Sequence, residues 1–542
     1  MSGHRVLAIG LDGVAFSYAE ELMASGDMPA LAELRKRSRR FLLNHGAAQR
    51  TGLGWEHFAS GLSPEAVRRW SAIELDPSTY TVSQKGARFA PWCASIDRRV
   101  VVFDTPYLDL RRAPNARGVV AWGAHDPGSV ARSRPINLLP ELVRRFGEYP
   151  LEWMYETPWA SPARTQQMAD AMSRGLDARA RAARWLATER LADWDLFMAV
   201  SGEVHSTIEA LWHGVDPTHP LHSHPSAAPA ARGMLEVHRA LDRMVGDLVR
   251  SAGDAVVVAF TMGGMGANHS DVPSMVLLPE LLYRHAFGRP LLSVPRAWSD
   301  SPRRVPIMGE ADNWVDLGRS WVPVPQRRRG VADGLRELVR QRPRLKAVLK
   351  GARAAVQTWR RNGEVSLGVD WQPAERYSRY WPQMPAFAVP SYYDGHIRLN
   401  LRGRERDGLI EPSSYEDTCL QIERMLRECR NPLTGEPAIE LVERATTRDP
   451  LALEASEADM RVVWRGVGTA LEHPRLGLIG PIPLRRVGGH TGPYGLAYIS
   501  APGFEPGDGG VRSSFDIAPT IVDLLGCPAI PGMSGQSLLK RL

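Results

Sequence analysis

The hydrophobic positions of this 542-residue chain form two kinds of run that alternate along most of its length. Short apolar runs rich in β-branched residues predict buried strands at 6–10, 99–103, 196–200 and 255–260. Between them, apolar residues recur with helical spacing at 29–37, 165–189 and 235–252. This alternation predicts an α/β fold: a doubly wound, mostly parallel sheet with helices on both faces. In such folds, functional sites gather at the carboxyl ends of the strands.

The pattern changes between 288 and 375, where proline and arginine dominate. Within this stretch, residues 327–361 carry twelve Lys/Arg against two acids. We expect a basic Pro/Arg-rich insertion with one or two helices, which divides the core into 1–287 and its completion in 376–542. Two interpretations of the insertion stay open. It is a solvated helical face, or it is a contact surface for anionic lipid or a polyanionic partner.

After the insertion, residues 390–405 predict a small β-hairpin subdomain with its turn at Asp394-Gly395. A helix at 414–430 follows, and a strand at 496–500 with a helix at 514–525 then closes the main sheet. Arg398, Asn400 and Arg402 alternate along the second hairpin strand and so share one face. Guanidinium groups suit phosphate or sulfate, which makes this row a candidate anion site. The alternative is an exposed strand paired with acids.

Composition narrows the class of protein without naming a reaction. Hydrophobic residues make up 44% of the chain and charged residues 23%, which is typical of a globular protein. The net charge of +7 is a mild excess that suits a small anionic substrate. Four scattered cysteines form no CxxC pair and indicate neither a disulfide scaffold nor a cysteine zinc site. Because the sequence shows no signal-peptide pattern and no long apolar stretch, we expect a cytoplasmic protein without a transmembrane segment.

Two residues near the start of the chain are candidates for chemistry. Asp12 follows the first predicted strand, although acids often cap turns at such places. Thr51 stands in a glycine-bearing turn before a helical stretch. A hydroxyl there gains from the helix dipole as a nucleophile, or it is only a helix cap.

A further candidate group follows the strand at 196–200. His205 and Glu209 are four residues apart, so a helix would place them on one face within reach of one cation. His222 and His224 follow, and we interpret them as surface loop residues.

Together these motifs resemble the alkaline-phosphatase superfamily, in its type I phosphodiesterase/nucleotide pyrophosphatase branch with bacterial phosphomutase-like members. The resemblance includes the strand-end Asp, the Thr ten residues before Gly-x-x-Pro, and Glu-x-His-x-x-x-Glu-x-x-Trp-His at 203–213. It also includes the hairpin at 391–405, Gly489-His490-Thr-Gly, and Phe515-Asp-Ile-Ala-Pro-Thr in the last helix. It covers 5–285 and 385–540.

The resemblance implies a phosphoryl-transfer mechanism with two metals and a phospho-enzyme. It implies that Thr51 is the nucleophile and that Asp12 is the first acid of the nucleophile's metal site. His205 stands where the family usually has Asp, and Glu209 stands where it has His. His490 matches the remaining His of the second metal site. These three side chains could still bind one cation, with zinc the first expectation and manganese the second.

The family's Ser-Asp-His-Gly motif is replaced in this chain. Depending on the register, Met262 and Gly263, or Thr261 and Met262, stand in the two ligand positions. A thioether is a poor ligand for hard cations, so we expect one firm metal site rather than two. His269 and Asp271 are candidate substitute ligands from the following loop.

The sequence thus predicts a metal-dependent phosphoester or phosphodiester hydrolase, or a phosphoryl-type transferase, with a threonine nucleophile and an altered metal site. Its substrate would be small and would bear phosphate or sulfate. The alternative is a repurposed or non-hydrolytic member that transfers another group or only binds an anionic ligand. The sequence leaves open the substrate, the pathway and the oligomeric state.

Overall fold

A computed structural model of the chain describes residues 3–123, 130–150, 157–322 and 366–541. In chain order, the strands are β1 (Val6–Leu11), β2 (Arg39–Asn44), β3 (Ile73–Asp76), β4 (Thr81–Lys85), β5 (Val100–Phe103), β6 (Ala116–Val120), β7 (Arg132–Arg134), β8 (Leu196–Ser201), β9 (Val256–Thr261), β10 (Gly264–Ala267), β11 (Ser366–Leu367), β12 (Ala386–Val389), β13 (Gly395–Leu399), β14 (Ile439–Arg444), β15 (Met460–Trp464), β16 (Leu471–His473), β17 (Gly477–Ile479), β18 (Gly488–Gly492), β19 (Gly495–Ser500) and β20 (Gly507–Ser513).

The helices alternate with these strands through the first half of the chain. In chain order, they are α1 (Phe16–Ala24), α2 (Pro29–Lys36), α3 (Gly54–Ser60), α4 (Pro64–Val67), α5 (Leu138–Phe146), α6 (Pro162–Trp185), α7 (Glu203–Leu211), α8 (Ala227–Ser251), α9 (Leu278–Phe287), α10 (Arg296–Ser299), α11 (Trp314–Trp321), α12 (Tyr415–Arg427) and α13 (Ile517–Leu524).

The central sheet has nine strands in the order β20-β2-β19-β9-β1-β8-β5-β6-β7. Strands β9, β1, β8, β5 and β6 are parallel to their neighbours in this series. Strand β19 runs antiparallel between β2 and β9, and β7 is antiparallel to β6. The predicted doubly wound, mostly parallel sheet is therefore confirmed, with antiparallel additions toward its edges.

Helices cover both faces of this sheet because side chains alternate across each strand. Leu7 and Ile9 of β1 pack into a core with α1, α2, α6 and α8. Val6 and Ala8, which alternate with these residues along β1, pack on the opposite face into a second core with α3 and α13. The central strands are buried on both faces, which explains why they appear in the sequence as continuous apolar runs.

A smaller antiparallel sheet, with strand order β12-β13-β15-β14, lies in the part of the chain after the insertion. The predicted hairpin is its β12–β13 pair, with Val389 opposite His396 beside the turn. Its core includes α9, α11 and α12. Trp314 of α11 belongs to the first part of the insertion. It is buried, and its indole N–H donates to the carbonyl of Pro483 at 2.9 Å.

The predicted strands and helices outside the insertion are present, with ends that shift by a few residues. The basic stretch 327–361 lies outside the described residues, so its helices and the domain boundaries drawn around it stay predictions. Within the ranges that are described, no helix is both long enough and apolar enough to cross a bilayer.

Candidate metal centre

The site forms where three neighbouring strands end. Asp12 directly follows β1, and its backbone N–H donates to the carbonyl of Ser201 at the end of β8. Strand β8 leads into α7, while β9, on the other side of β1, is followed by Met262. Because parallel strands end at the same edge, this topology gathers Asp12, α7 and Met262 at one place.

Helix α7 carries two of the candidate ligands on one face. His205 and Glu209 are one turn apart and both are buried. Gly13, at φ +71°, permits the close approach of the chain after β1, since a Cβ there would lie 2.5 Å from Cβ of His205. A side chain at position 13 would therefore push α7 away from β1.

Strand β18 brings the third candidate ligand, His490. It pairs antiparallel with β10, which directly follows β9. The N–H of Val487 donates to the carbonyl of Glu209 at 2.9 Å, so β18 is also tied to α7. As a result, Nε2 of His490 lies 3.0 Å from Nε2 of His205.

The three side chains form one cluster. His205, Glu209 and His490 each offer a ligand atom, and these atoms lie within 4.8 Å of one another. Nε2 of His205 is central, at 3.3 Å from Oε1 of Glu209 as well as close to His490. Burial, followed by the nearby His205, holds the pKa of His490 well below its usual value. His490 is therefore neutral near pH 7 and has a lone pair, so two imidazoles and a carboxylate fit a zinc-type cation.

Asp12 has a different contact from the one that the resemblance implies. Its Oδ2 lies 2.9 Å from Nδ1 of His205, and Asp12 is not part of the three-residue ligand cluster found among the described residues. A carboxylate here accepts from Nδ1–H, so it leaves the Nε2 lone pair of His205 directed at Glu209 and His490. Carboxylates commonly orient metal-binding histidines in this way. The geometry thus favours an orienting role for Asp12 rather than direct ligation.

Arg486 is a part of the site that the sequence reasoning missed. Arg486 lies two residues before β18 begins, and its guanidinium pairs with Oε1 of Glu209. A cation at the cluster would share or compete for that carboxylate. Arg486 is one of many basic residues in the chain, and neither its spacing nor a motif distinguishes it in the sequence.

Thr51 lies at the end of a 3₁₀ helix, Gly46–Thr51, shortly before α3. It is buried, and its hydroxyl donates to the carbonyl of Ala48 at 2.7 Å. The same oxygen accepts from the N–H of Leu53 at 3.1 Å. These bonds close a local turn before α3, whose N-cap is Leu53 with no side-chain cap.

Two contacts link the Thr51 turn to the histidine cluster. Gly52, at φ +70°, leaves space for Tyr393, whose ring would lie 2.5 Å from a Cβ at that position. The same Tyr393 ring packs edge-on against His490, with centroids 4.4 Å apart. In addition, Nε2 of Gln49 donates to the carbonyl of Gly492 at 2.8 Å. The Tyr393 ring thus lies between Gly52, which follows Thr51, and His490.

The positions with missing ligands also face the Thr51 turn. Met262 is buried in the apolar core that contains Trp55 and Phe260. Its Cβ would lie 3.6 Å from a Cβ at Gly54. The nearest side chain to Gly263 is that of Gln49. Neither Met262 nor Gly263 supplies a carboxylate or an imidazole there, so these two positions offer none of the ligands that the resemblance implies.

The structure does not bring the proposed substitute ligands to the cluster. Asp271 is buried and pairs with Arg485 through its Oδ2, at 2.7 Å from Nε. His269 is half-buried, and its charged neighbours are Asp216 and Glu440. The cluster of ligand atoms found in the described ranges includes neither residue. The prediction that they replace the lost ligands beside Thr51 stays a prediction, although Asp271 already neutralises the buried guanidinium of Arg485.

The row at 398–402 has structural partners instead of a free anion-binding face. Arg398 is buried and donates to Oε1 of Glu405 at 3.1 Å. Asn400 is buried against Tyr80, whose hydroxyl donates to its side chain at 2.7 Å. Strand β13 ends at Leu399, and the exposed Arg402 pairs with Glu411. The anion-site prediction is corrected for this reason: the row is paired with acids and polar groups of the chain itself.

Comparison with known proteins gives no sequence match: no family model and no curated protein matches the chain. Among solved structures, it is similar to phosphonoacetate hydrolase from Sinorhizobium meliloti 1021 in complex with phosphonoformate. That likeness has 14% identity and a TM-score of 0.46, and covers 96% of each chain. The same hydrolase in complex with phosphonoacetate gives 14% identity, a TM-score of 0.44 and 96% coverage of each chain.

A further similar structure is human ectonucleotide pyrophosphatase/phosphodiesterase 5. The identity is 9% and the TM-score 0.45, over 98% of this chain and 97% of that chain. With TM-scores below 0.5, these likenesses transfer neither residue roles nor an activity to this chain.

Proposed function

We propose that the protein is a metal-dependent phosphoester hydrolase that resembles the alkaline-phosphatase superfamily and uses one firmly held cation. The observation that carries the proposal is the convergence of His205, Glu209 and His490 within 4.8 Å, at the carboxyl edge of a parallel sheet. Side chains from two distant parts of the sequence meet there. A buried imidazole and a partly buried one next to a buried carboxylate are costly unless they share a proton or a cation.

The ligands would be Nε2 of His205, Nε2 of His490 and a carboxylate oxygen of Glu209. Asp12 would hold His205 in the required tautomer, at the 2.9 Å contact between Oδ2 and Nδ1. When bound, a zinc-type cation would supply Lewis-acid charge for the oxygens of the phosphoryl group. Three protein ligands leave a coordination position open, as is usual for catalytic rather than structural sites.

Thr51 is the proposed nucleophile. Its Oγ1 would form a bond to phosphorus while the bond between phosphorus and the ester oxygen breaks, and the alcohol would leave with a proton. Water would then attack phosphorus and release phosphate, restoring the hydroxyl. Before attack, the hydroxyl must give up its 2.7 Å hydrogen bond to Ala48. Arg486 would contribute positive charge beside Glu209.

The test of this proposal is a turnover assay with added zinc or manganese. The panel contains phosphomonoesters, phosphodiesters and sulfate esters, each measured before and after chelation. We expect hydrolysis of at least one phosphate ester, lost on chelation and restored by the cation. An absence of turnover on the whole panel with a cation bound would contradict the proposal.

A second candidate function is ligand binding without hydrolysis, and one observation favours it. Met262 stands in a ligand position of the resemblance and lies in an apolar core with Trp55 and Phe260, so it offers no ligand for a cation that would activate Thr51. On this interpretation, the cluster would bind a cation and an anionic ligand, and phosphate would bind without turnover.

A further inference from the structure

A second group of titratable side chains lies beside the Thr51 turn, on the small antiparallel sheet. In register, His396 of β13 is opposite Arg461 of β15, and Arg461 is opposite Glu443 of β14. Directly opposed residues share one face of a sheet, so these three side chains form a row. Asp394, just before β13, extends the row toward Arg50 and the Thr51 turn. We call these four residues the polar row.

Arg50 joins the polar row to the candidate nucleophile, because it precedes Thr51 in the sequence. Its Nε lies 3.7 Å from Oδ2 of Asp394, and its guanidinium pairs with Oε1 of Glu443. Arg461 lies 3.9 Å from the other oxygen of Glu443. Tyr393, next to Asp394, contacts both Gly52 and His490. The polar row therefore adjoins the Thr51 turn through Arg50, and Tyr393 connects its end to His490.

Several buried atoms of the polar row lack a hydrogen-bond partner among the described residues. They are Oδ2 of Asp394, Nε2 of His396, Nη1 of Arg461 and Oε2 of Glu443. Asp394, His396 and Arg461 are buried, while the side chains of Arg50 and Glu443 stay 29% and 27% exposed and open the row to solvent. Buried polar atoms without partners are costly, and where they persist they call for a function.

The charges decide what kind of group fits. Glu443 needs a donor, Arg461 needs an acceptor, and Asp394 needs a donor when ionised and offers one when protonated. Burial raises the pKa of Asp394 to about 7, and burial lowers that of His396 to about 3, so the imidazole is neutral. A phosphate would be repelled by the two carboxylates, and an ammonium by the two guanidiniums. Hydroxyl groups are neutral and both donate and accept.

We propose that the polar row binds the hydroxyl groups of the alcohol portion of the substrate, which makes that alcohol a polyol or sugar. The claim that the bound alcohol belongs to a substrate rests on the proposed function, whereas the binding of hydroxyl groups by the polar row does not. The phosphoryl group would lie at Thr51 and the cation cluster. Its alcohol portion would extend past Tyr393 to the polar row.

The test compares two phosphate esters that differ only in hydroxyl groups, glycerol 1-phosphate and propyl phosphate. Their binding to the zinc-loaded Thr51→Ala chain is measured by calorimetry, and their hydrolysis by the zinc-loaded wild type is followed in parallel. We expect glycerol 1-phosphate to bind about tenfold more tightly or better, as hydrogen bonds to charged groups allow. Equal binding of the two esters would overturn the proposal and would show that water alone satisfies the row.

Variants then assign the preference to the polar row. Glu443→Gln and Asp394→Asn should reduce the preference toward equality. Glu440→Gln is the matched control, because Glu440 lies on the same strand and pairs with Arg465 at the exposed surface. If Asp394→Asn does not fold, the more exposed Glu443→Gln still decides. An unchanged preference in Glu443→Gln would overturn the assignment.

The two proposals fail in different ways. Turnover of both esters without a preference removes the polyol subsite and leaves hydrolysis intact. Tighter binding of glycerol 1-phosphate without turnover keeps the subsite and removes hydrolysis.

Discussion

The two halves of the site differ in what surrounds them. On the α7 side, His205 is held from both ends, by Asp12 at Nδ1 and by Glu209 and His490 at Nε2. On the Thr51 side, the end of β9 offers Met262 packed in an apolar core. The same edge of the same sheet thus carries one ligand cluster and one apolar wall. The comparison supports the proposal of one firmly held cation, because Met262 offers neither a carboxylate nor an imidazole at the end of β9.

The largest effect is expected at Thr51. If the hydroxyl attacks phosphorus, Thr51→Ala should lower kcat by about 10³-fold or more, since no second nucleophile stands in the turn. Loss of its two local hydrogen bonds should lower the free energy of unfolding by no more than about 1–2 kcal/mol. Thr51→Ser should retain part of the activity because it keeps the oxygen.

Thr188→Ala is the matched control for Thr51. It removes an exposed threonine that also donates to a backbone carbonyl, that of Arg184 at 2.9 Å. Its activity should equal that of the wild type. Undiminished turnover in Thr51→Ala would show that water attacks directly at the α7 side.

The next effect concerns the ligands themselves. His490→Ala or His205→Ala should abolish tight cation binding and lower kcat/KM by more than about 100-fold, because two ligands seldom hold a catalytic cation. His222→Ala, at an exposed histidine, should change neither quantity. Equal cation affinity in His490→Ala and the wild type would place the cation elsewhere.

A smaller effect is expected at Asp12, which separates an orienting role from direct ligation. Asp12→Asn keeps the shape but weakens the hold on Nδ1 of His205, so cation affinity should fall about 10- to 100-fold. Calorimetric titration with zinc measures this change. A complete loss of binding, equal to that of His490→Ala, would instead make Asp12 a ligand.

The smallest effect is on stability against acid, and it comes from histidines outside the cluster. Burial lowers the pKa of His45, His219 and His238 to about 4, against about 6.5 in an unfolded chain. Between these values the unfolded state binds more protons than the folded state. The free energy of unfolding should therefore fall as the pH is lowered from about 6.5 toward 4.

A chelated sample isolates this contribution from the cation. Thermal unfolding measured from pH 7 to 4.5 should retain most of the slope without the cation, and His238→Leu should flatten it. His238 lies in α8 beside Tyr18, where it touches no ligand. A slope that vanishes on chelation would assign the acid sensitivity to the cluster instead.

The sequence predicted the central sheet well because its strands are buried on both faces, and such strands are continuous apolar runs. It also identified His205 and Glu209, since helical spacing fixes their shared face. The role of Asp12 was harder to predict, because a strand-end acid can ligate, cap or orient, and only the 2.9 Å contact with Nδ1 distinguishes these roles.

Long-range pairings account for what the sequence missed. Of the two interpretations of Arg398, the structure shows the pairing with an acid, because Glu405, seven residues later, folds back to pair with it. Asp271 forms an ion pair with Arg485, which is 214 residues away in the sequence. The polar row depends on strand register between segments that are tens of residues apart. Side-chain alternation shows which residues share a face but not which partners reach them.

The most direct test of the central claim is the number of cations bound per chain. Elemental analysis of the wild type after saturation with zinc and removal of the excess gives this number. We expect about one zinc per chain, lost in His490→Ala and retained in His222→Ala. Two firmly bound cations per chain, or one that persists in His490→Ala, would contradict the account of a single site at His205, Glu209 and His490.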